Sequence, residues 1–371
     1  MNKEIDYKTV NIKILSDVLE FEKLEAEWNA LYKQNKKNYL EQTWAYNYHY
    51  YINIKPDYQL ILVVCRNNQE KLVGIIPLYK KKNTVRTLYR PGKLNFIGNG
   101  NGDYLNFVFH PEYPQVILLA LSILNESKEW GIIEFDFMPE QSPFIDLVFQ
   151  WFKQKGLRVK RKVRNDCVSI PLPVTYDNYL SALGKSTRKD ARYDRNVLEK
   201  KYNTQFHIYS GYSEIGPMID KLYQTHALRQ EKLHRKSNFN NIHYRQFYQK
   251  MLQDSDSLCK HKLCALQVRN ELIAAFTLYC KGDQAIGQIF TFNPEWYKLS
   301  VGNVLLNYVI EKLIDNGITT LDMTRGDEQY KFKWGGLRKN NHKVVIFRTW
   351  LHEYLYQLNE FKKTKLEQWQ R

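Results

Sequence analysis

LILVVCRNNQEKLVGIIPLY, Leu60 to Tyr79, and KLCALQVRNELIAAFTLY, Lys262 to Tyr279, follow one plan. Each is an apolar run, a short polar turn and a second apolar run, which reads as a β-hairpin. An apolar helix comes next, VILLALSIL (Val116 to Leu124) in the first stretch and VLLNYVIEKLI (Val304 to Ile314) in the second. Each stretch then reaches a strand that opens on glycine and carries an aspartate, GIIEFD (Gly131 to Asp136) and GITTLD (Gly317 to Asp322). This period lies far above the ~20–50 residues of solenoid units, so it predicts a duplicated domain. Only the second stretch continues into a dense polar-aromatic segment, MTRGDEQYKFKWGG (Met323 to Gly336), and the second copy is expected to hold the chemistry.

The remaining pattern fills in around these hairpins. SDVLEFEKLEAEWNALY (Ser16 to Tyr32) has helical spacing at Phe21, Leu24, Trp28 and Leu31, with Ser16 as the expected N-cap. FIDLVFQWFKQKG (Phe144 to Gly156) is a helix that stops at glycine. Thr187 and Asp190 of KSTRKDARYDRNVLEKK have capping-box spacing, and VVIFRTWL (Val344 to Leu351) reads as a late strand. Helices mixed with consecutive strands predict an α+β class, twice over. The expected domains are residues 1–165 and 166–371, the second with the active site.

Composition narrows the function. The chain has 371 residues, 43% of them hydrophobic, enough for each half to bury a core. Its net charge of +16 favours an anionic substrate, nucleic acid or membrane surface. The five cysteines form no CxxC pair, which argues against a disulfide scaffold or a zinc cluster. The opening MNKEIDYKTV lacks a leader's apolar run, and no run approaches the ~20 residues of a membrane helix. The expectation is a cytoplasmic protein, or one peripheral to the inner membrane face. No Walker, HExxH or G-x-S-x-G motif is present, so a covalent serine or cysteine mechanism has no sequence support.

GITTLDMTRGDEQYKFKWGG resembles the closing motif of the cellulose-biosynthesis-type acetyltransferases, a branch of the GNAT superfamily. FIGNGNGDYLNF (Phe96 to Phe107), STRKDARYDRN (Ser186 to Asn196), the H-x-x-R of His226 to Arg229, and SVGNVLL (Ser300 to Leu306) match in the same order. The group is similar in turn to Fem-type aminoacyltransferases, which also pair two GNAT-like domains. The resemblance implies acyl transfer from acetyl-CoA or another acyl-CoA to a small-molecule or saccharide acceptor, in exopolysaccharide or envelope assembly. A Fem-type enzyme drawing on aminoacyl-tRNA is the alternative, and an inactive GNAT-like binding scaffold is a third reading.

The same resemblance nominates residues. A GNAT domain holds the cofactor where two strands splay, with the pyrophosphate at the next helix N-terminus. The splayed strand is expected at AIGQIFTFN, and Phe290, Thr291, Lys298, Ser300, Gly302 and Asn303 are the cofactor-binding candidates. The superfamily's Gln/Arg-x-x-Gly-x-Gly/Ala pattern is absent; YKLSVGN has one glycine. His226 is the expected base, because imidazole titrates near neutral pH, and Asp322 is expected to orient it or to accept a proton itself. Arg188, Arg192, Arg229 and Lys331 are candidates to hold anionic substrate groups, with Glu328 and Tyr330 beside them. Asp103, behind the glycine cluster of the first half, is expected to line the same cleft. Asp136, the repeat counterpart of Asp322, is read as structural.

Overall fold

In a computed structural model of the protein, residues 10–81, 92–113, 115–127 and 130–369 are described. The stretch read for a leader lies outside them. The chain divides into two compact units, Met1–Arg164 with Asn340–Arg371, and Asn165–Lys339. The expected boundary at 165/166 falls one residue from the first crossing. The segment after Lys339, which the sequence reading gave to the second domain, belongs to the first unit instead.

The first unit contains β1 (Asn11–Leu15), α1 (Val18–Lys23), α2 (Glu25–Lys33), α3 (Trp44–Ile54), β2 (Tyr58–Arg66), β3 (Leu72–Lys81), β4 (Lys93–Phe96), β5 (Val108–Phe109), α4 (Val116–Glu126), β6 (Ile132–Pro139), α5 (Phe144–Gln154) and the start of β7 (Arg158–Pro171). The second unit takes the rest of β7, then α6 (Tyr176–Ala182), α7 (Lys185–Tyr202), β8 (Gln205–Ser210), α8 (Gly211–Ile215), α9 (Ile219–Lys232), α10 (Ile242–Ser255), β9 (Lys260–Val268), β10 (Glu271–Lys281), β11 (Gln284–Phe292), α11 (Val301–Asp315), β12 (Thr320–Arg325) and α12 (Gln329–Lys333). β13 (Leu337–Phe347) leads back to the first unit, which α13 (Trp350–Trp369) completes. The late strand therefore ends at Phe347, and Trp350 and Leu351 open a helix.

The duplication is visible in the pairing. In the first unit the order is β1-β2-β3-β4-β6-β13, and in the second it is β7-β12-β11-β10-β9-β8. Each hairpin, β2–β3 and β9–β10, is antiparallel and passes antiparallel to the next strand. A single parallel pair follows: Lys93–Asn95 of β4 against Ile132–Glu134 of β6, and Gln284–Ile286 of β11 against Thr320–Asp322 of β12. The apolar helix, α4 or α11, makes the crossover that a parallel pair requires. α11 buries Val301, Val304, Leu305, Val309 and Leu313 in the second unit's core, beside Leu266, Phe276 and Leu321.

Local chemistry moved several element ends. Asp17, rather than Ser16, caps α1 by accepting from Leu19 N and Glu20 N. α7 starts earlier than the Thr187 capping box, at Lys185, with Gly184 as N-cap. Asp190 instead accepts from Ser186 Oγ at 3.2 Å.

Gly287 stands where β11 parts from β12. A Cβ there would lie 2.7 Å from Phe276 Cζ and 3.3 Å from the Asp322 carbonyl. Gly287→Val should therefore overpack the sheet and lower unfolding free energy by ~1–3 kcal/mol, read as a lower urea midpoint with unchanged slope.

Candidate active site

β11 pairs along its length with β10 but with β12 only as far as Ile286↔Asp322. Beyond that point the two parallel strands separate. A cavity of about 360 Å³ opens here in the second unit. Phe290 and Phe292 reach it from β11, and Tyr297 and Lys298 from the short turn after the strand. Ser300, Val301, Gly302 and Asn303 supply the N-terminus of α11, Arg229 comes from α9 and Tyr330 from α12.

The N-terminus of α11 gives the cavity its polarity. Ser300 takes φ +52° and no side chain caps the helix. The N–H groups of Val301, Gly302 and Asn303 have no acceptor within the helix, and the dipole places partial positive charge on them. Lys298 adds a full charge beside them. A Cβ on Gly302 would lie 3.3 Å from Phe292 Cδ1, so glycine lets the helix end and the ring lie together. Asn303 Oδ1 accepts from Trp334 Nε1 at 3.3 Å, which fixes that side chain from behind.

Arg229 closes the strand side. Its Nη1 donates to the Phe290 carbonyl at 2.6 Å, and its guanidinium lies 4.4 Å from the Phe292 ring centroid. Burial pushes its pKa down, while Tyr330 and Glu328 oppose that shift. Tyr330 stacks on Phe290 with centroids 5.7 Å apart. Burial, aided by Glu328, raises its pKa, so the phenol keeps its proton near neutrality.

His226 sits one turn before Arg229 on α9. Its Nδ1 lies 2.8 Å from Ser237 Oγ, and its ring meets Phe239 edge-on. Burial, then the Arg229 charge, lowers its pKa to about 4. The imidazole is therefore neutral across the physiological range.

The structure thus brings together Arg229, Phe290, Lys298, Ser300, Gly302, Asn303 and Tyr330; His226 lies one turn from Arg229 but does not line the cavity, and the remaining candidates are separated from it. Asp322 does not orient His226. It is buried in β12, where Oδ2 meets Lys339 Nζ at 2.7 Å and Oδ1 accepts from Thr324 N at 2.9 Å. Lys331 is not a substrate anchor. Its buried ammonium donates to the carbonyls of Met323, Arg325 and Gly326 at 3.0, 2.8 and 3.0 Å, and Glu328 Oε2 lies 3.1 Å away. Glu328 is spent on that contact. Thr291 points away from the cavity: it is buried, and its Oγ1 donates to the Thr225 carbonyl. Arg188 lies on α7 near the Ser181 carbonyl and Arg192 is solvent-exposed; neither lines the cavity. Arg195, further along the same helix, is held by Glu199 and Glu311. Asp136 is structural, paired with Arg164 and Lys343.

Asp103 belongs to the first unit. Its N–H, and that of Tyr104, donate to Glu41 Oε1. Gly98 and Gly102 lie under Tyr46 and Leu105, where a Cβ would come within 2.7 Å of a neighbour. Burial and then Asp103 raise the Glu41 carboxyl to about 7, and its Oε2 has no hydrogen-bond partner. In this copy a glycine loop follows the strand β4, where the second copy has its cavity.

Three cavity residues escaped the sequence reading: Phe292, Tyr297 and Val301. Strand periodicity could have found Phe292. Alternate residues share a face, so Phe290 selects Phe292 and excludes Thr291.

Residues 185–332, which include every residue lining the cavity, match the family model of an acetyltransferase (GNAT) domain. No curated protein matches the chain. Among solved structures, FemX aligns with a TM-score of 0.61 at 12% identity, covering 90% of this chain and 98% of its own. L-PGS from Bacillus licheniformis aligns at 0.56 and 12% identity, covering 90% and 94%. A conserved protein of unknown function from Bacteroides thetaiotaomicron aligns at 0.52 and 8% identity, covering 91% and 100%. At these identities the likeness is one of fold, and it extends over both units. The chain is an α+β protein of two GNAT-like units, and its second unit carries the acetyltransferase domain that makes it an acyltransferase.

Lys331 separates a scaffold role from a substrate role. Lys331→Met strands three carbonyls in the interior and should cost about 2–4 kcal/mol in a denaturant titration, with activity falling as the fold does. A variant that melts like the parent but shows only a raised KM would return Lys331 to the substrate.

Proposed function

We propose that the cavity holds an acyl-CoA thioester along the free edge of β11 and passes the acyl group to an amine or hydroxyl. The observation that carries this is the parting of β11 from β12 after Ile286, with the open N-terminus of α11 beside it. The donor set suits the group: helix N–H groups and Lys298 for phosphates, aromatic rings for apolar and stacking contacts, and strand groups for amides. The acceptor is read as a saccharide or envelope precursor, in keeping with the cellulose-biosynthesis-type branch, and the cytoplasm as the compartment that supplies the donor.

In this reading the acceptor's lone pair attacks the thioester carbonyl carbon. Charge gathers on the carbonyl oxygen, where a strand N–H donates to it. The C–S bond then breaks and the sulfur leaves as thiolate. Tyr330, a neutral phenol in the cavity, is the candidate donor of a hydrogen bond to the leaving sulfur. His226, off the cavity lining but one turn from Arg229, is the candidate base for an acceptor that enters from the Arg229 side. With Nδ1–H donated to Ser237 Oγ, its Nε2 carries the lone pair that takes the acceptor's proton. Arg229 holds the Phe290 carbonyl, so amide pairing with that carbonyl requires the guanidinium to swing aside.

One observation favours a second reading. The Arg229 bond occupies strand-edge capacity that a pantetheine arm would use, and the chain superposes on FemX. A Fem-type reaction drawing on aminoacyl-tRNA is then the alternative, and one screen decides between them. Acetyl-CoA should raise the melting temperature, by ~2.7 kcal/mol of stabilisation at a hundredfold excess over Kd. Lys298→Glu, at an exposed side chain, should remove that shift while leaving the unliganded melt near its parent value; Gly302→Val, which crowds Phe292, should remove it and lower the unliganded melt as well. Stabilisation by tRNA and by no acyl-CoA would install the second reading.

The base assignment predicts a pH profile. An imidazole with pKa near 4 is in its basic form above that value and loses it as pH falls through it. The acid limb of kcat/KM should therefore lie near pH 4 rather than near 6.5. His226→Gln should lower kcat by ~10²–10⁴ and erase the limb with little change in melting. A parent profile with its limb at 6.5, or an unchanged kcat in the variant, would remove His226 from the mechanism.

A further inference from the structure

α13 closes the first unit with two different faces. The inner one is held down. Tyr356 packs on Ile132, Val345 and Phe347, and its hydroxyl donates to Glu134 Oε2 at 2.9 Å. Glu353 pairs with Arg158 and Lys160 of β7 at 3.0 and 2.8 Å. The outer face carries Trp350, Leu351, Tyr354, Leu358 and Phe361, which are 65%, 47%, 53%, 38% and 59% exposed. At 100° per residue these five fall within an arc of roughly 100°, an apolar stripe opposite the anchored face.

Cations border that stripe. Lys362 is exposed beside it, and Lys365 continues it, with its ammonium 4.8 Å from the Phe361 ring centroid. Arg158 and Lys160 keep 59% and 49% of their side chains exposed despite their bonds to Glu353. Lys162, next on the same strand face, is exposed too. The whole chain carries 55 Lys and Arg against 39 Asp and Glu.

Two occupants could cover such a face. A second copy would use the 351–354–358–361 spacing as a coiled-coil seam. That seam runs for only about two heptads, short of the three or four that sustain one, and the next seam position is Lys365. A bilayer surface fits every element. Trp, Tyr and Phe rings suit the headgroup boundary, and lysines set along the apolar stripe can extend their charge to the phosphates. No helix among the described residues is long and apolar enough to cross a membrane, so the geometry is that of a helix lying on one.

We propose that α13 is a surface anchor for anionic lipid bilayers: its apolar stripe enters the headgroup–acyl boundary while Lys362, Lys365 and the β7 cations hold lipid phosphates. The proposal does not depend on the acyl donor or acceptor of the second unit.

The test is co-sedimentation of the full chain with vesicles of phosphatidylcholine containing phosphatidylglycerol, against phosphatidylcholine alone, at low and high salt. The protein should pellet with the anionic vesicles and release as salt rises. Leu358→Glu with Phe361→Glu should weaken binding at least ~tenfold, since two apolar side chains no longer enter the boundary. These side chains are exposed, so the melting temperature should hold. Lys362→Glu with Lys365→Glu keeps the stripe and should weaken anionic binding by about fivefold per lysine or more. The proposal falls if the protein ignores the anionic vesicles, binds neutral ones equally, or binds undiminished in both double variants. It also falls if sedimentation equilibrium shows a dimer that Leu358→Glu dissolves, because a second copy then owns the face.

Discussion

One buried ammonium organises the active half of this protein. Lys331 sends its charge into the interior and shares it among three main-chain carbonyls of the segment that leaves β12. A lysine so enclosed is tolerated only when its donors are satisfied. The segment it binds passes through Thr324 at φ +52°, a conformation a β-branched residue seldom adopts, and then Gly326 at φ +108°, which glycine permits. With that turn fixed, the next residues form α12, and Tyr330, immediately before Lys331, lies over Phe290. The residue that looked most like a substrate anchor instead shapes the wall that a substrate would meet.

The two copies of the domain share more than strand order. Asp136 lies two residues past the last β4–β6 pair and Asp322 at the last β11–β12 pair, and each is neutralised by cations, Arg164 with Lys343 in one case and Lys339 in the other. A positive φ follows soon after each, at Phe137 and at Thr324. The copies part company beyond the parallel pair. In the second, β11 runs on to Phe292 and a helix N-terminus opens beside it. In the first, β4 stops at Phe96, and a glycine loop packed against Tyr46 and Leu105 comes next. Chemistry in one copy and shape in the other is the expected fate of a duplicated sheet whose parallel strands are free to diverge only once.

The sequence disclosed the hairpins, the apolar helices and the Gly-Ile strands because each has a period that backbone geometry imposes. The cavity was reached through the family resemblance, whose cofactor nominations Phe290, Lys298, Ser300, Gly302 and Asn303 all line it. What the sequence concealed was direction. Whether Lys331 points outward or inward depends on a turn with no periodic signal. Thr291 and Phe290 are neighbours in sequence and opposites in space. The pairing of His226 with Ser237, rather than with Asp322, arises from a loop between α9 and α10 that composition does not describe. Chain circuit was hidden as well: nothing in VVIFRTWL says that it pairs with β6, more than two hundred residues upstream.

That last pairing bears on how the polypeptide is made. The second unit is one uninterrupted stretch, Asn165–Lys339, whereas the first needs β13, which is translated after all of it. On the ribosome, β6 emerges early and waits with one edge bare until the final strand arrives. The half of the protein that begins first is therefore finished last. During that interval Ile132, Ile133 and Phe135 present an unpaired strand edge open to wrong partnerships.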